Sequence, residues 1–302
     1  MTISIRAEPT AYLRRKVRLA TRMLWQRVQG QPRICPYCGP GTTVRLVARK
    51  KFVMDIVECA KCELIFRWPA DTEEYLNAHY QDDYEAEAPQ VRLPDPRDLP
   101  TLKAERFVSL FGPDLNFKMG LIKAIRPAGR ILDYGCSWGY ATYLMGKDGY
   151  SAVGFDISKP RAGYAREHLG VPVIDSLDAL AAEPNESFDI IYSNNVLEHL
   201  PTIGLVLASC GRLLKPDGIA IHLLPNYSGK ARRTGEWLNW IGEDHPIAPT
   251  IEFFRNALPA AGLSRFAFAT TPLDTEAIAA VTGRSGEAAQ LEGDELLVVA
   301  QK

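Results

Sequence analysis

Leu13, Val17, Ala20, Leu24 and Val28 recur at steps of three and four residues, so the start of the chain predicts a helix with one apolar stripe. Arg14, Arg18 and Arg22 recur every four residues and add an adjacent basic stripe, until Gln31-Pro32 ends the pattern. Two short runs follow, Val44-Arg-Leu-Val-Ala48 and Phe52-Val-Met-Asp-Ile-Val57, and they predict a pair of strands. Residues 85–100 contain four prolines and no periodicity, including Glu85-Ala-Glu-Ala-Pro89 and Leu93-Pro-Asp-Pro-Arg-Asp-Leu-Pro100. They predict an extended linker. Beyond it, helix and strand patterns alternate. Residues 102–125 predict one or two helices broken at Gly112-Pro113. Strands are expected at 130–133, 152–156, 171–175, 188–193 and 219–224, with helices at 140–147, 161–169 and 203–214. Such alternation predicts a parallel sheet covered on both faces. After a helix at 251–261, strands at 265–270 and 295–301 lack a full helical crossover and predict a terminal antiparallel hairpin.

Composition narrows this picture. The 302 residues allow roughly two domains of about 100–200 residues. Hydrophobic residues at 46% and charged residues at 24% supply a full core and exclude a wholly disordered or fibrous chain. With 35 basic and 36 acidic side chains the formal charge is −1, which gives no global attraction to nucleic acid or membrane. The charge is unevenly placed: the first 30 residues carry +6 and the remainder −7. The leading helix, residues 11–28, therefore suits peripheral contact with anionic lipid or an acidic partner. A helix packed on the body with its arginines in water is the other reading of the same pattern. The acidic remainder argues against a continuous basic RNA footprint, so a nucleic-acid partner is not expected. The longest apolar runs, at 190–196 and 219–225, fall short of the ~20 residues of a membrane span. Arginines occupy the place of a secretory apolar stretch, so the expected location is cytoplasmic, with peripheral contact at the inner membrane surface.

Six cysteines include Cys35-Pro-Tyr-Cys38 and Cys59-Ala-Lys-Cys62, spaced C-x2-C-x20-C-x2-C. Two thiolates two residues apart can turn onto one metal at a knuckle, here reversing at Gly39 and Glu63. Two knuckles on a hairpin complete a tetrahedral sulfur cage suited to Zn²⁺. Four thiolates leave no open position for a catalytic water, so the expected metal is structural. A segment of about fifty residues has little core of its own, which gives the metal a folding role. The expected organisation is a basic amphipathic helix at 1–30, a zinc ribbon at 31–84, the linker at 85–100 and a catalytic domain at 101–302.

The candidate chemistry lies at strand ends. Asp133-Tyr-Gly135-Cys-Ser137-Trp-Gly139 joins the first strand of the sheet to its helix, where glycines let a ligand approach backbone N–H groups. Asp156 closes the next strand 23 residues later and can accept both hydroxyls of a ribose. Asp175-Ser176 closes the third, within reach of an adenine amino group. Asn194, Asn195, Glu198 and His199 follow the fourth. The loop does not spell G-x-G-x-x-G, which disfavours a nicotinamide cofactor.

Ile131-Leu-Asp-Tyr-Gly-Cys-Ser-Trp-Gly-Tyr resembles the first motif of class I S-adenosylmethionine-dependent methyltransferases. Val153-Gly-Phe-Asp156-Ile157-Ser is similar to their acidic second motif, and Val196-Leu-Glu-His-Leu to the post-strand-four signature of the ubiquinone-biosynthesis-type group. Leu213-Leu-Lys-Pro-Asp-Gly218 matches the turn before their fifth strand. Val57-Glu-Cys-Ala-Lys-Cys-Glu-Leu-Ile-Phe-Arg-Trp-Pro, with Tyr75 and His79-Tyr80-Gln-Asp-Asp-Tyr84, resembles the zinc ribbon preceding many bacterial methyltransferases of polysaccharide and sugar pathways. The resemblance runs from about residue 101 to the end of the catalytic segment. It implies an α/β fold: a Rossmann-like seven-stranded methyltransferase sheet with a C-terminal antiparallel hairpin, preceded by a small four-cysteine zinc ribbon. It also implies S-adenosylmethionine as cofactor and S-adenosylhomocysteine as product. By that resemblance Asp133, Gly135, Ser137 and Gly139 face the methionine end, Asp156 and Ile157 the ribose, Asp175 and Ser176 the adenine, and Asn194 and Asn195 the sulfonium side. Ser137 departs from the family, which usually has its middle glycine there, and its side chain takes space near the methionine moiety.

Methyl transfer from a sulfonium needs alignment and, for a hydroxyl acceptor, removal of a proton. His199 and His245 are the candidate bases. His222 alternates within a strand and reads as a core histidine. Glu198 and His199 could hold a cation, but the sequence offers no second carboxylate–histidine pair. Lys230, Arg232 and Arg233, beside Trp237 and Trp240, form a candidate acceptor-binding loop. The expected reaction is methylation of a small molecule, at a hydroxyl of a sugar, nucleotide sugar or related metabolite. RNA methylation and a non-catalytic scaffold with a decayed cofactor site are the alternatives; oligomeric state is not encoded in these patterns.

Overall fold

Apolar strands alternating with amphipathic helices can be satisfied only by a sheet covered on both faces. The computed structural model describes residues 9–72, 75, 81, 92–242, 244–274, 279, 281 and 291–302. Expectations placed on His79-Tyr80, Asp82-Asp83-Tyr84 and Glu85–Pro89, and on the side chains of Leu13 and Arg14, lie outside the described residues.

The described strands are β1 (Val44–Lys50), β2 (Met54–Cys59), β3 (Ile65–Trp68), β4 (Arg130–Tyr134), β5 (Ser151–Phe155), β6 (Val173–Ile174), β7 (Phe188–Asn194), β8 (Leu214–Pro225), β9 (Ile247–Ala248), β10 (Arg265–Thr270) and β11 (Glu295–Gln301). Seven of them form one sheet in the order β10-β11-β8-β7-β4-β5-β6. Pairing is parallel from β8 through β6, and β11 is antiparallel to both β8 and β10. The chain thus runs outward from β4 to β6, then crosses to β7 on the other side of β4. That reversal opens a crevice at the carboxyl ends of β4 and β7, where open α/β sheets bind ligands. Apolar side chains from helices Asp114–Ile125 and Tyr140–Lys147 cover one face of the sheet, and those from Ile203–Leu213 and Ile251–Ala260 cover the other.

The terminal strands pair as expected, with β11 between β8 and β10. The turn expected at Leu213–Gly218 falls within β8 as a bulge: Phe188 opposes Leu214, and pairing resumes at Ile190–Ile219.

A second sheet, ordered β1-β2-β3-β9, carries the cysteine segment. Its third strand was not evident in the chain pattern, and its fourth is contributed from the loop beyond β8: Ile65 pairs with Ala248 and Phe66 with Ile247. Cys35, Cys59, Cys62, Leu64 and Phe66 share one apolar core with Leu197, Ile203, Leu207 and Phe253. The ring of Tyr37 meets that of Phe253 edge-on at 5.2 Å.

Helix α1 (Pro9–Val28) docks on this second sheet, though not through the expected stripe. Among the described side chains of the helix, Leu19 and Met23 are the buried ones, against Met54, Ile56, Tyr227 and Trp237. Arg22 pairs with Asp71 at 2.7 Å and stacks on Tyr75, and Arg27 pairs with Asp55 at 3.2 Å. Val17, Leu24 and Val28, the expected contact face, point to solvent. Two arginines therefore bind the body that the pattern had left to the apolar stripe, because Asp55 and Asp71 are buried acids needing a cation.

Gly211, in the helix Ile203–Leu213, is packed so closely that a Cβ there would overlap the carbonyl oxygen of Ala261. Gly211→Ala should lower folding stability by about 1–3 kcal/mol through overpacking, measured as a shift in urea midpoint. An unchanged midpoint would mean that this contact is not tight in solution.

Candidate functional site

The first loop of the site, between β4 and the helix Tyr140–Lys147, has three residues with positive φ: Gly135 (79°), Ser137 (53°) and Gly139 (83°). At Gly139 a side chain would also collide with Ala165 Cβ at 2.8 Å, and at Gly135 with Val196 Cγ2 at 2.5 Å. The loop is tied to β5 because Gly135 and Cys136 both donate N–H bonds to the Phe155 carbonyl, at 2.7 and 3.0 Å. Ser137 tolerates its conformation through its hydroxyl, which accepts from Arg161 Nη1 at 2.7 Å. Arg161 itself is buried.

Asp156 lies at the end of β5 and is gripped from two sides. Ser137 N–H donates to Oδ2 at 2.8 Å and Ser158 N–H to Oδ1 at 2.9 Å. Burial raises its pKa against the pull of those two donors and of Arg161. Gly135, Ser137, Asp156, Ile157, Asn195 and His199 line one cleft of about 140 Å³. Tyr134, Phe155, Leu177, Val196, Leu200 and Thr202 complete it. None of these six was assigned to the site from the sequence, although Tyr134, Phe155, Val196 and Leu200 lie within the quoted motifs, since lining residues look like core or loop until their strand ends are placed.

Other expected residues stand behind this cleft. Asp133 is buried and accepts from Thr142 Oγ1 at 2.7 Å, and burial pushes its pKa up to about 7. Gly139 begins the following helix. Asp175 is occupied by Lys159 at 2.9 Å and Arg166 at 2.8 Å, which lower its pKa. Ser176 caps the helix Leu177–Ala182 by accepting from Ala179 N–H at 3.1 Å. Asn194 Oδ1 accepts from the buried Lys118 at 3.0 Å, and Lys118 also pairs with Glu295 at 2.6 Å. The expected adenine contacts of Asp175 and Ser176 thus meet competing partners.

A second, open cleft adjoins the first and shares Asn195 with it. Pro225, Trp240, His245, Thr271, Asp294 and Glu295 line it. Where the clefts meet, the rings of His199 and His245 lie 4.6 Å apart and nearly perpendicular. His199 Nδ1 is 2.6 Å from the Asp244 carbonyl. A carbonyl only accepts, so Nδ1 carries the proton and Nε2 the lone pair. His245 Nδ1 is 3.0 Å from the Tyr227 hydroxyl. Burial keeps Tyr227 protonated, so it donates to His245, whose own pKa burial pulls down to about 4. Glu198 is buried, and among the described residues neither of its oxygens finds a hydrogen bond. Glu198, His199 and His245 bring one ligand atom each within 4.8 Å of one another. Both histidine Nδ1 atoms are engaged by protein oxygens, which fixes the two rings beside Glu198. His222 is a core residue 2.8 Å from Ser193 Oγ. Of the basic loop, Arg232 pairs with Glu58 and Arg233 with Glu292, and Trp237 is buried, leaving Trp240 to face the cleft.

At the second sheet, the sulfurs of Cys35, Cys38, Cys59 and Cys62 all lie within 4.8 Å of one another, with Cys35 and Cys62 at 3.6 Å. Sulfurs around one Zn²⁺ with bonds of ~2.3 Å sit roughly 3.8 Å apart, so the set fits this ion. Cys38 N–H points at Cys35 Sγ from 3.3 Å. The Cys62 thiol and this amide lower the Cys35 pKa to about 5, while Cys35 and burial hold that of Cys62 up. A buried cluster that cannot ionise all its thiols alone is what a divalent cation resolves.

A family profile described as "Methyltransferase domain" matches residues 103–265, more than half of the chain. The chain belongs to that family and, with the strand order and loop just described, to the class I S-adenosylmethionine-dependent methyltransferases. It is 38% identical over 111 residues to a ubiquinone biosynthesis O-methyltransferase of Methylococcus capsulatus, covering 34% of this chain and 47% of the relative. It is 32% identical over 123 residues to the same enzyme of Paracidovorax citrulli, covering 38% and 52%. The chain thus spans about half the length of these relatives. Among solved structures it is similar to an S-adenosylmethionine-dependent methyltransferase of Thermotoga maritima (TM-score 0.48, 18% identity, 68% of this chain and 97% of the other). Another similar structure comes from Archaeoglobus fulgidus (TM-score 0.47, 15% identity, 65% and 100%).

Two outcomes follow. Stripping metal with a chelator, or Cys59→Ser, should lower the Tm of the whole chain in one transition, because the cysteine sheet shares its core with the larger sheet. Elemental analysis should find about one zinc per chain; none, with an unaltered Tm, would refute the cage. The second concerns Glu198, whose pKa burial raises from 4.5 to about 8. The folded state therefore holds a proton that the unfolded state releases. This stabilisation is full below about pH 4.5 and is lost as pH rises towards 8. Glu198→Gln should flatten the fall of Tm between pH 5 and 9, and an unchanged slope would place the titration elsewhere.

Proposed function

We propose that this chain transfers the methyl group of S-adenosylmethionine to a hydroxyl oxygen of a small, sugar-type acceptor. The observation that carries the reading is the junction at Asn195 of the cleft lined by Asp156 and the open cleft lined by Trp240, with His199 in the first beside His245 in the second. When bound, the cofactor supplies an activated methyl on a good leaving group. Asp156, fixed by two backbone donors, would accept the ribose hydroxyls. Leu177 and Ile157 offer apolar faces for the adenine, and the backbone of Gly135–Ser137 lies along the methionine end. His199, held in the Nδ1–H tautomer by Asp244, presents a lone pair able to take the acceptor's proton. His245 supports that ring as a positioning group, its own Nδ1 receiving Tyr227.

Trp240 suits stacking against the C–H face of a sugar ring, and Asp294, Glu295 and Thr271 suit its hydroxyls. Transfer to oxygen is further supported by the relatives named as O-methyltransferases. A decayed site is disfavoured by Ser137, which is built into the Asp156 network.

Asp156→Ala should weaken S-adenosylmethionine binding at least tenfold in calorimetry; unchanged affinity would remove the ribose assignment. His199→Ala should cut kcat on the order of a hundredfold while leaving cofactor affinity within about twofold. Release of S-adenosylhomocysteine should be seen with nucleotide sugars. Turnover confined to phenols, or to total RNA, would overturn the acceptor class.

A further inference from the structure

Among the described residues nothing covers the apolar stripe of α1. Val17, Leu24 and Val28 recur at i, i+7 and i+11, with Trp25 beside them, and the helix docks through its other side. Trp25 is 63% exposed and Val28 79%. At the C-terminal end of α1, Arg27 reaches the Val53 carbonyl, so the β1–β2 hairpin tip adjoins the stripe. That tip carries Lys51 and Phe52, the latter 91% exposed. Each apolar side chain so placed weakens hydration without adding to the core, and one large aromatic on each of two neighbouring elements does not follow from the packing of either.

Charge distinguishes between occupants. The helix has six basic residues and no acidic one. Arg22 and Arg27 are turned to Asp71 and Asp55 of the body, whereas Arg18 is exposed on the flank of the stripe. Arg14, Arg15 and Lys16 precede it in the same helix. An apolar, Trp-bearing stripe with the exposed Arg18 on its flank, on a helix whose sequence is basic throughout, complements a bilayer surface with anionic headgroups. A second copy would set these cations against each other. No helix among the described residues is long and apolar enough to cross a membrane, so the contact is along the surface.

We propose that the outward face of α1, with the Phe52 hairpin tip, is a docking surface for an anionic lipid bilayer. The stripe would lie at the headgroup–acyl boundary, with Trp25 and Phe52 as the deepest side chains and Arg18 at phosphate level. No residue of this surface lines the acceptor cleft or the cofactor cleft.

The test uses the full chain and vesicles of phosphatidylcholine alone or with one quarter phosphatidylglycerol. Cosedimentation should be strong with the anionic vesicles at 50 mM salt and at least tenfold weaker at 0.5 M salt or with neutral vesicles. Leu24→Ser/Trp25→Ser should weaken it at least tenfold, and Arg18→Glu about fivefold or more, given the contribution of one basic residue near such a surface. Both variants alter exposed side chains and should retain Tm and S-adenosylmethionine affinity. Absence of binding at low salt, or equal binding by the double variant, would refute the proposal. So would a dimer that forms without lipid and disappears in the double variant, which would assign the stripe to a second copy.

Discussion

The structure depends on two backbone pairs: Ile65 with Ala248 and Phe66 with Ile247. Together with the bond from Arg67 N–H to the Pro246 carbonyl, they pin the loop beyond β8 onto the cysteine sheet. That loop holds Asp244 and His245. Its carbonyl sets the tautomer of His199, and its histidine lies against the same ring. The sulfur cage holds the turns that present β3, β3 holds β9, and β9 holds the residues that orient the candidate base. A metal held by the four cysteines would thereby have a mechanical path to the histidine pair without touching a substrate.

The cofactor loop follows a different logic. Ser137 occupies a left-handed backbone position that glycine would take at less cost. Its hydroxyl and its amide are each used, one by Arg161 and the other by Asp156. A departure from the family pattern that looked like lost space for the ligand is instead a coupling between the glycine loop and the acid that closes β5. Cys136 is likewise built in, its sulfur filling the space where a side chain at Gly154 would stand.

Much of this was legible in the chain. Strand β10 and strand β11 fall at their expected residues because their apolar runs are long and bounded. The four cysteines are legible because metal ligation imposes a fixed spacing. Asp156 stands at the end of β5, where the alternation of strand and helix patterns places it. What the pattern could not supply is choice among partners. An acid such as Asp175 carries no mark of the two cations that claim it, and Asp133 no mark of its burial beneath Thr142. The stripe on α1 obeys the helical period, but periodicity does not say which side meets protein. There, the buried acids Asp55 and Asp71 decided the matter, from segments distant in sequence. Strand β9 is two residues long and invisible to any period.

The position of β11 has a temporal consequence. Ribosomal synthesis produces β8 first, β10 some forty residues later and β11 last of the three, yet β8 and β10 touch only β11 in this part of the sheet. Until it emerges, β8 presents an open hydrogen-bonding edge, and β10 lacks a partner in the sheet. Such edges are ready templates for pairing between chains. The closing of the sheet is therefore a late, long-range event, and the nascent chain is most exposed to self-association during the interval between these strands.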